Sequence, residues 1–284
     1  MALINFIFNL VGLVFWFNWL TSRVDPLAKT SAASLAGTLK RTQAQTRRRW
    51  QHLASLTALL LVRAWLCLQF SSLAGWTPRI RLGVMVLSFR PDYPSHMLVF
   101  SLLSFGAVLA GFYLWLLLFA LLNGRELDAN PLQKLVRLHL GRWEHLPRWL
   151  QVLLPFVLGG LVWLALHPML ARMAVVPSAR TATQLLAQSA VMGAGTYLAW
   201  KYAVLIVLLL HLLHSYVHLG SHPFWEFADA SARNLLRPLN RLPLRAGRID
   251  FAPVVALALV VLVVICFEHP PERVRLWFSR WLPI

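Results

Sequence analysis

Acidic residues are scarce in this chain, with 10 Asp and Glu among 284 residues against 27 Lys and Arg. Charge of either sign makes up only 13% of the sequence, cysteine is down to two residues, and hydrophobic residues reach 58%. So little charge in so much apolar sequence excludes a soluble globular domain and a disordered chain. The two cysteines, Cys67 and Cys266, both lie inside apolar runs, which excludes a secreted disulfide scaffold. The compact signatures of common chemistry are also missing: there is no G-x-S-x-G, H-E-x-x-H, P-loop or C-x-x-C pattern. On that ground no enzymatic activity is expected.

What is present is a mean hydropathy of +0.62 with a net charge of +17 at pH 7. Both fit an all-α integral membrane protein whose basic residues lie between its apolar segments. Crossing about 30 Å of hydrocarbon takes roughly 20 apolar residues. Six segments offer that, near 2–20, 53–72, 97–122, 150–170, 196–215 and 251–267. The first has no basic residue ahead of it and meets Arg23 and Lys29 only afterwards, so it reads as an uncleaved span. Before the fifth, the small and polar residues from Thr183 to Thr196 suggest a surface or re-entrant lead-in.

Orientation follows from the connections, because cytoplasmic loops retain Lys and Arg. Segments 21–52, 123–149 and 220–250 hold seventeen of them, while the other two loops and the C-terminal tail hold eight. Both termini are therefore expected outside the cytoplasm, in a bacterial inner membrane.

Each basic loop contains a proline preceded by a polar residue: Asp25-Pro26, Asn130-Pro131 and His222-Pro223. A polar cap followed by proline at the first helical position is a helix-start signal. After Pro131, residues Leu132, Leu135, Val136, Trp143 and Leu146 recur near helical spacing, away from Lys134, Arg137 and Arg142, as in an interfacial amphipathic helix. After Pro223 the stripe is Phe224, Phe227 and Leu235; after Pro26 it has nearly vanished. The implied architecture is six transmembrane helices arranged as three repeats of span, amphipathic basic loop and span. Its units are 1–76, 97–170 and 182–267, with an interfacial helix over 268–284 that begins near Pro270 and Pro271 and is anchored by Trp277 and Trp281.

The third unit carries Leu235-Leu236-Arg237-Pro238-Leu239-Asn240-Arg241-Leu242-Pro243, then Gly247-Arg248-Ile249-Asp250-Phe251-Ala252-Pro253. Over about 235–265 it resembles the YggT family of bacterial and plastid membrane proteins, whose members carry LLRPxRRxxP-like and G-x-I-D-x-S-P-like segments before a membrane helix. Here Ala252 stands where the family has Ser. The resemblance implies a non-catalytic polytopic protein that acts as a scaffold or assembly factor. Relatives are associated with osmotic tolerance, with division-gene neighbourhoods and with assembly of haem-bearing plastid complexes.

Independently of the family, the motif reads as a shaped corner leading back into the membrane. Pro238 and Pro243 interrupt helical pairing, Gly247 allows a tight turn, Asp250 can cap the sixth span, and Pro253 sits in its first turn. Arg233, Arg237, Arg241, Arg245 and Arg248 would then lie at headgroup level, where each basic side chain gains about 1 kcal/mol near anionic lipid. Anionic phospholipids and other integral membrane proteins are the expected partners, and the chain could also be an oligomer or a complex subunit. Nucleic acid is not expected, because few stacking aromatics are interleaved with the arginines.

Three further features bear on function. His211, His214, His218 and His222 would fall within roughly an 80° arc if one helix ran through them, a stripe suited to a metal, a haem or protons. Packing is the plainer reading of it, and no cofactor is expected. Arg63 and Lys201 are charges inside spans, which are functional candidates by default; snorkelling to the nearer membrane face, or hydrogen bonding to helix carbonyls, is the expected explanation. Gly106, Gly111, Gly159, Gly160, Gly193 and Gly195 are expected at close helix approaches. Two alternatives to the scaffold reading stay open. One is an accessory subunit of a larger respiratory or photosynthetic complex, its 13 Trp and 16 Phe supplying surface. The other is a metal-, haem- or proton-handling protein built on the His stripe.

Overall fold

A computed structural model describes residues 2–21, 35–74, 76–83, 85–123, 130–141, 143, 146–217, 220, 222–239, 245–246 and 249–268. In chain order its elements are α1 (Ala2–Thr21), α2 (Leu35–Ala74), β1 (Arg79–Leu82), β2 (Met85–Ser88), α3 (Pro94–Asn123), α4 (Pro131–Leu140), α5 (Arg148–Arg172), α6 (Ala182–Gly195), a 3-10 turn (Thr196–Ala199), α7 (Trp200–Tyr216), α8 (Pro223–Leu236), β3 (Arg245–Ala246), β4 (Ile249–Asp250) and α9 (Ala252–Glu268). β1 pairs with β2 and β3 with β4, each pair a two-stranded ribbon.

Among the described residues, five stretches are long and apolar enough to cross a membrane: Leu3–Thr21, Trp50–Ser71, Pro94–Asn123, Arg148–Arg172 and Ala182–Ser215. The chain is therefore an all-α protein with the helices of a multi-pass membrane protein. The sixth expected span falls on α9, an apolar helix whose 17 residues rise only about 26 Å. The basic stretch before the second span runs directly into it, since α2 is unbroken for 40 residues. The small and polar lead-in to the fifth span is a helix, α6, which buries Gln188, Ser189, Met192, Gly193 and Gly195. Small residues explain this. A Cβ on Gly160 would come within 3.2 Å of Ser189 O, and one on Gly193 would strike Phe156 O, so the backbones of α5 and α6 meet where side chains are missing. Gly106 and Gly111, by contrast, have open space around them and serve no such approach.

The chain divides into two compact units, 1–80 with 88–109, and 81–87 with 110–284. In the first, α1, α2 and the N-terminal half of α3 enclose Leu56, Ala64, Met97, Phe100 and Phe105. Ser101 Oγ donates to Leu60 O at 2.8 Å, tying α3 to α2. In the second, Leu116, Leu117, Val136, Leu140 and Phe227 join α3, α4 and α8. Leu208, Leu236, Ala252 and Ala256 join α7, α8 and α9. Two indoles fasten the 3-10 turn region to α3: Trp115 Nε1 donates to Ala199 O at 2.8 Å and Trp200 Nε1 to Leu114 O at 2.9 Å.

Candidate functional site

The second unit contains the loop helices on which the expected surface depends. Pro131 and Pro223 each occupy the first helical position, as their sequence contexts predict. Asn130 caps α4, its Oδ1 accepting from Leu132 N at 3.0 Å, while its Nδ2 donates to Pro223 O at 2.9 Å. One side chain thus starts α4 and holds the start of α8 against it. His222 caps α8, with Nδ1 accepting from Phe224 N at 3.2 Å.

This placement dissolves the histidine ladder. α7 ends at Tyr216, Val217 is extended, and Gly220 has a φ of +86°, so no helix continues toward His222. His218 lies outside the described residues. His211 and His214 remain together, and both turn to Asp229 on α8. His211 Nδ1 meets Asp229 Oδ1 at 2.9 Å and His214 Nδ1 meets Oδ2 at 2.6 Å. Trp225 stacks on His214, with ring centroids 5.4 Å apart and planes within 8°. A carboxylate between two imidazoles fixes their orientation and their tautomers. Among the described residues no group of three or more His, Cys, Asp or Glu is placed to hold a metal ion.

A neutral node lies alongside. Asn123 Nδ2 donates to Ser231 Oγ at 2.9 Å, and Ser231 Oγ donates to Phe227 O at 2.7 Å. Asn123 and Ser231 are buried, as is Gln133 beside them. These residues and Asp229 were not singled out from sequence. The available signal was polarity at stripe positions: Ser231 follows Phe227 by one turn, and Asn123 ends a 30-residue apolar helix.

With these polar groups turned inward, a different set faces outward. Leu135, Leu138, Trp143, Trp149 and Phe224 are 40–67% exposed. Lys134, Arg148, Arg233 and Arg237 are exposed among them. The expected stripe on α4 is thereby revised: Gln133, Val136 and Leu140 form the buried face, whereas Leu135 and Trp143 face outward. On α8 the buried row is Phe227, Ala228, Ser231, Ala232 and Leu236, leaving Phe224 outside it.

At the corner, β3 and β4 pair antiparallel with Arg245 opposite Asp250 and Ala246 opposite Ile249, leaving two residues between the strands. Asp250 does not occupy the cap position of the last helix. Phe251 O accepts from Val255 N at 2.9 Å, which makes Phe251 the N-cap and puts Asp250 one residue earlier. Pro253 is buried in the first turn as expected, and Pro238 is exposed in the turn after α8. Arg241, Pro243, Gly247, Arg248 and the expected 268–284 helix beyond Glu268 lie outside the described residues, as does Pro26.

The intramembrane charges behave differently from each other. Arg63 does not snorkel: it is 1% exposed. Its Nη1 donates to Asn9 Oδ1 at 2.6 Å, and its Nη2 to Ser104 Oγ at 2.6 Å and Asn5 Oδ1 at 3.2 Å. Lys201 sits in the first turn of α7 with its Nζ 4.7 Å from the Tyr202 ring centroid. Cys67 and Cys266 are both free thiols. Comparison with family models, with curated proteins and with solved structures finds no match for this chain.

Proposed function

We propose that this chain is a non-catalytic polytopic protein of a bacterial inner membrane, with both termini outside the cytoplasm. In this reading it scaffolds or assembles membrane partners on anionic lipid, as the YggT resemblance of its third unit implies. The observation that supports the reading is the division of labour on α4 and α8. Imidazoles, carboxylate and amides are consumed in holding helices together, while leucine, tryptophan, lysine and arginine are left outward. That outward set is what the boundary between headgroups and acyl chains takes up.

The test is lipid retention. Native mass spectrometry of the full chain from mild detergent is expected to find cardiolipin bound. Replacing Arg237, Arg241 and Arg245 together by Gln should weaken that binding on the order of a hundredfold, from roughly 1 kcal/mol per residue, without loss of helix content. Equal retention by the triple variant would overturn the reading.

A further inference from the structure

The apolar stretch of α2 has two faces. Leu56, Arg63, Ala64 and Cys67 are buried in unit 1, and at about 100° per residue Ala54, Ala58 and Leu61 fall on the opposite side. That outer side is not smooth. An open groove of about 440 Å³ runs along it, lined by Trp50, Leu53, Ala54, Thr57, Ala58 and Leu61. The two alanines form its floor, while Trp50 and Leu61, both exposed, stand at its ends. Thr57 Oγ1 donates to Leu53 O at 3.0 Å, within the helix, so below Trp50 the walls present hydrocarbon alone.

Length and charge identify the occupant. Trp50 begins the apolar stretch, and Leu61, eleven residues on, carries the groove about 16 Å deeper. That is the depth of one leaflet, half of a hydrocarbon core of about 30 Å. An acyl chain has this reach, whereas a partner's span would take a face running the full width. Arg47, Arg48 and Arg49 occupy the turn of the same unbroken helix just before Trp50, and none of the 40 residues of α2 is acidic. A second copy of the chain would set arginines against arginines; an anionic headgroup answers them.

We propose that this groove holds one acyl chain of an anionic phospholipid whose headgroup lies beside the turn of Arg47, Arg48 and Arg49. The site rests on the reading of the chain as a protein of an anionic membrane, but not on the arginines of the third unit.

The experiment is photocrosslinking of the full chain, carrying Leu61→p-benzoylphenylalanine at the deep end of the groove, in vesicles of equal phosphatidylglycerol and phosphatidylcholine with the same acyl chains. Mass analysis should find the phosphatidylglycerol adduct in excess by about fivefold or more, the effect of one or more basic residues at the headgroup. The same label at Leu10, an exposed position on α1, should show no preference. Replacing Arg47, Arg48 and Arg49 together by Gln should bring the ratio at Leu61 close to one. If circular dichroism shows that this variant has lost helix content, salt near 1 M, which confines charge effects to about 3 Å, should lower the ratio in its place. Replacing Arg237, Arg241 and Arg245 by Gln should leave the ratio unchanged, so the site and the lipid surface of the third unit can fail separately. Equal adducts at Leu61, a dominant adduct to a second copy of the chain, or a preference that survives both the Arg47–Arg49 replacement and high salt overturns the proposal.

Discussion

In unit 1 a guanidinium is held by two amides and a hydroxyl, whereas in unit 2 a carboxylate is held by two imidazoles and an asparagine by a serine. Each arrangement crosses from one helix to another, and each buries hydrogen-bonding groups in apolar surroundings. They differ in what is left when a partner is removed. Arg63 is a fixed charge at 1% exposure. Asp229 and its imidazoles keep about a fifth of their side-chain surface open, 22%, 20% and 17%. Position in the fold explains the contrast. Three long apolar helices surround the arginine, while α7 and α8 meet at the end of a span, where the chain turns.

The sharpest way to break the comparison is Asn9→Leu, which strips Arg63 of its Nη1 acceptor and leaves a buried charge underbonded. A loss of about 3 kcal/mol is expected, read as a shift in the detergent-unfolding midpoint. Adding Arg63→Met should recover most of it, since an apolar replacement of both members removes the stranded charge. A double variant as unstable as the single one would show that Arg63 is not the reason Asn9 matters. Asp229→Leu should cost less, about 2 kcal/mol, because the imidazoles it abandons keep some open surface. A cost above that of Asn9→Leu would reverse the ranking of the two nodes. The smallest effect is expected from His222→Ala, which removes one cap and costs at most about 1 kcal/mol. Amide hydrogen exchange in the first turn of α8 should report it, while α7, bound through His211 and His214, stays protected.

Periodicity and composition made the helices legible, down to the proline-started α4 and α8, because apolar length and cap chemistry are local properties. Partnership was less legible. The histidine spacing pointed to one continuous stripe, but a stripe needs a helix under it, and the chain turns after Tyr216. Arg63 was expected to reach the membrane face, although Asn5 and Asn9 lie one turn apart on α1. Close helix approach was expected at all six glycines, and α5 and α6 do meet at Gly159, Gly160 and Gly193, but Gly106 and Gly111 show that a small residue permits an approach without producing one.

The unbroken 40 residues of α2 also have a mechanical consequence. Its apolar stretch begins at Trp50, so the fifteen helical residues before it extend the same axis by about 22 Å. With no hinge between the two parts, a tilt of about 10° in the apolar stretch sweeps the far end sideways by about 4 Å, and a rotation about the axis is delivered undiminished. α2 is thus a lever as well as a span, able to carry a change in bilayer thickness to the basic stretch that begins the helix.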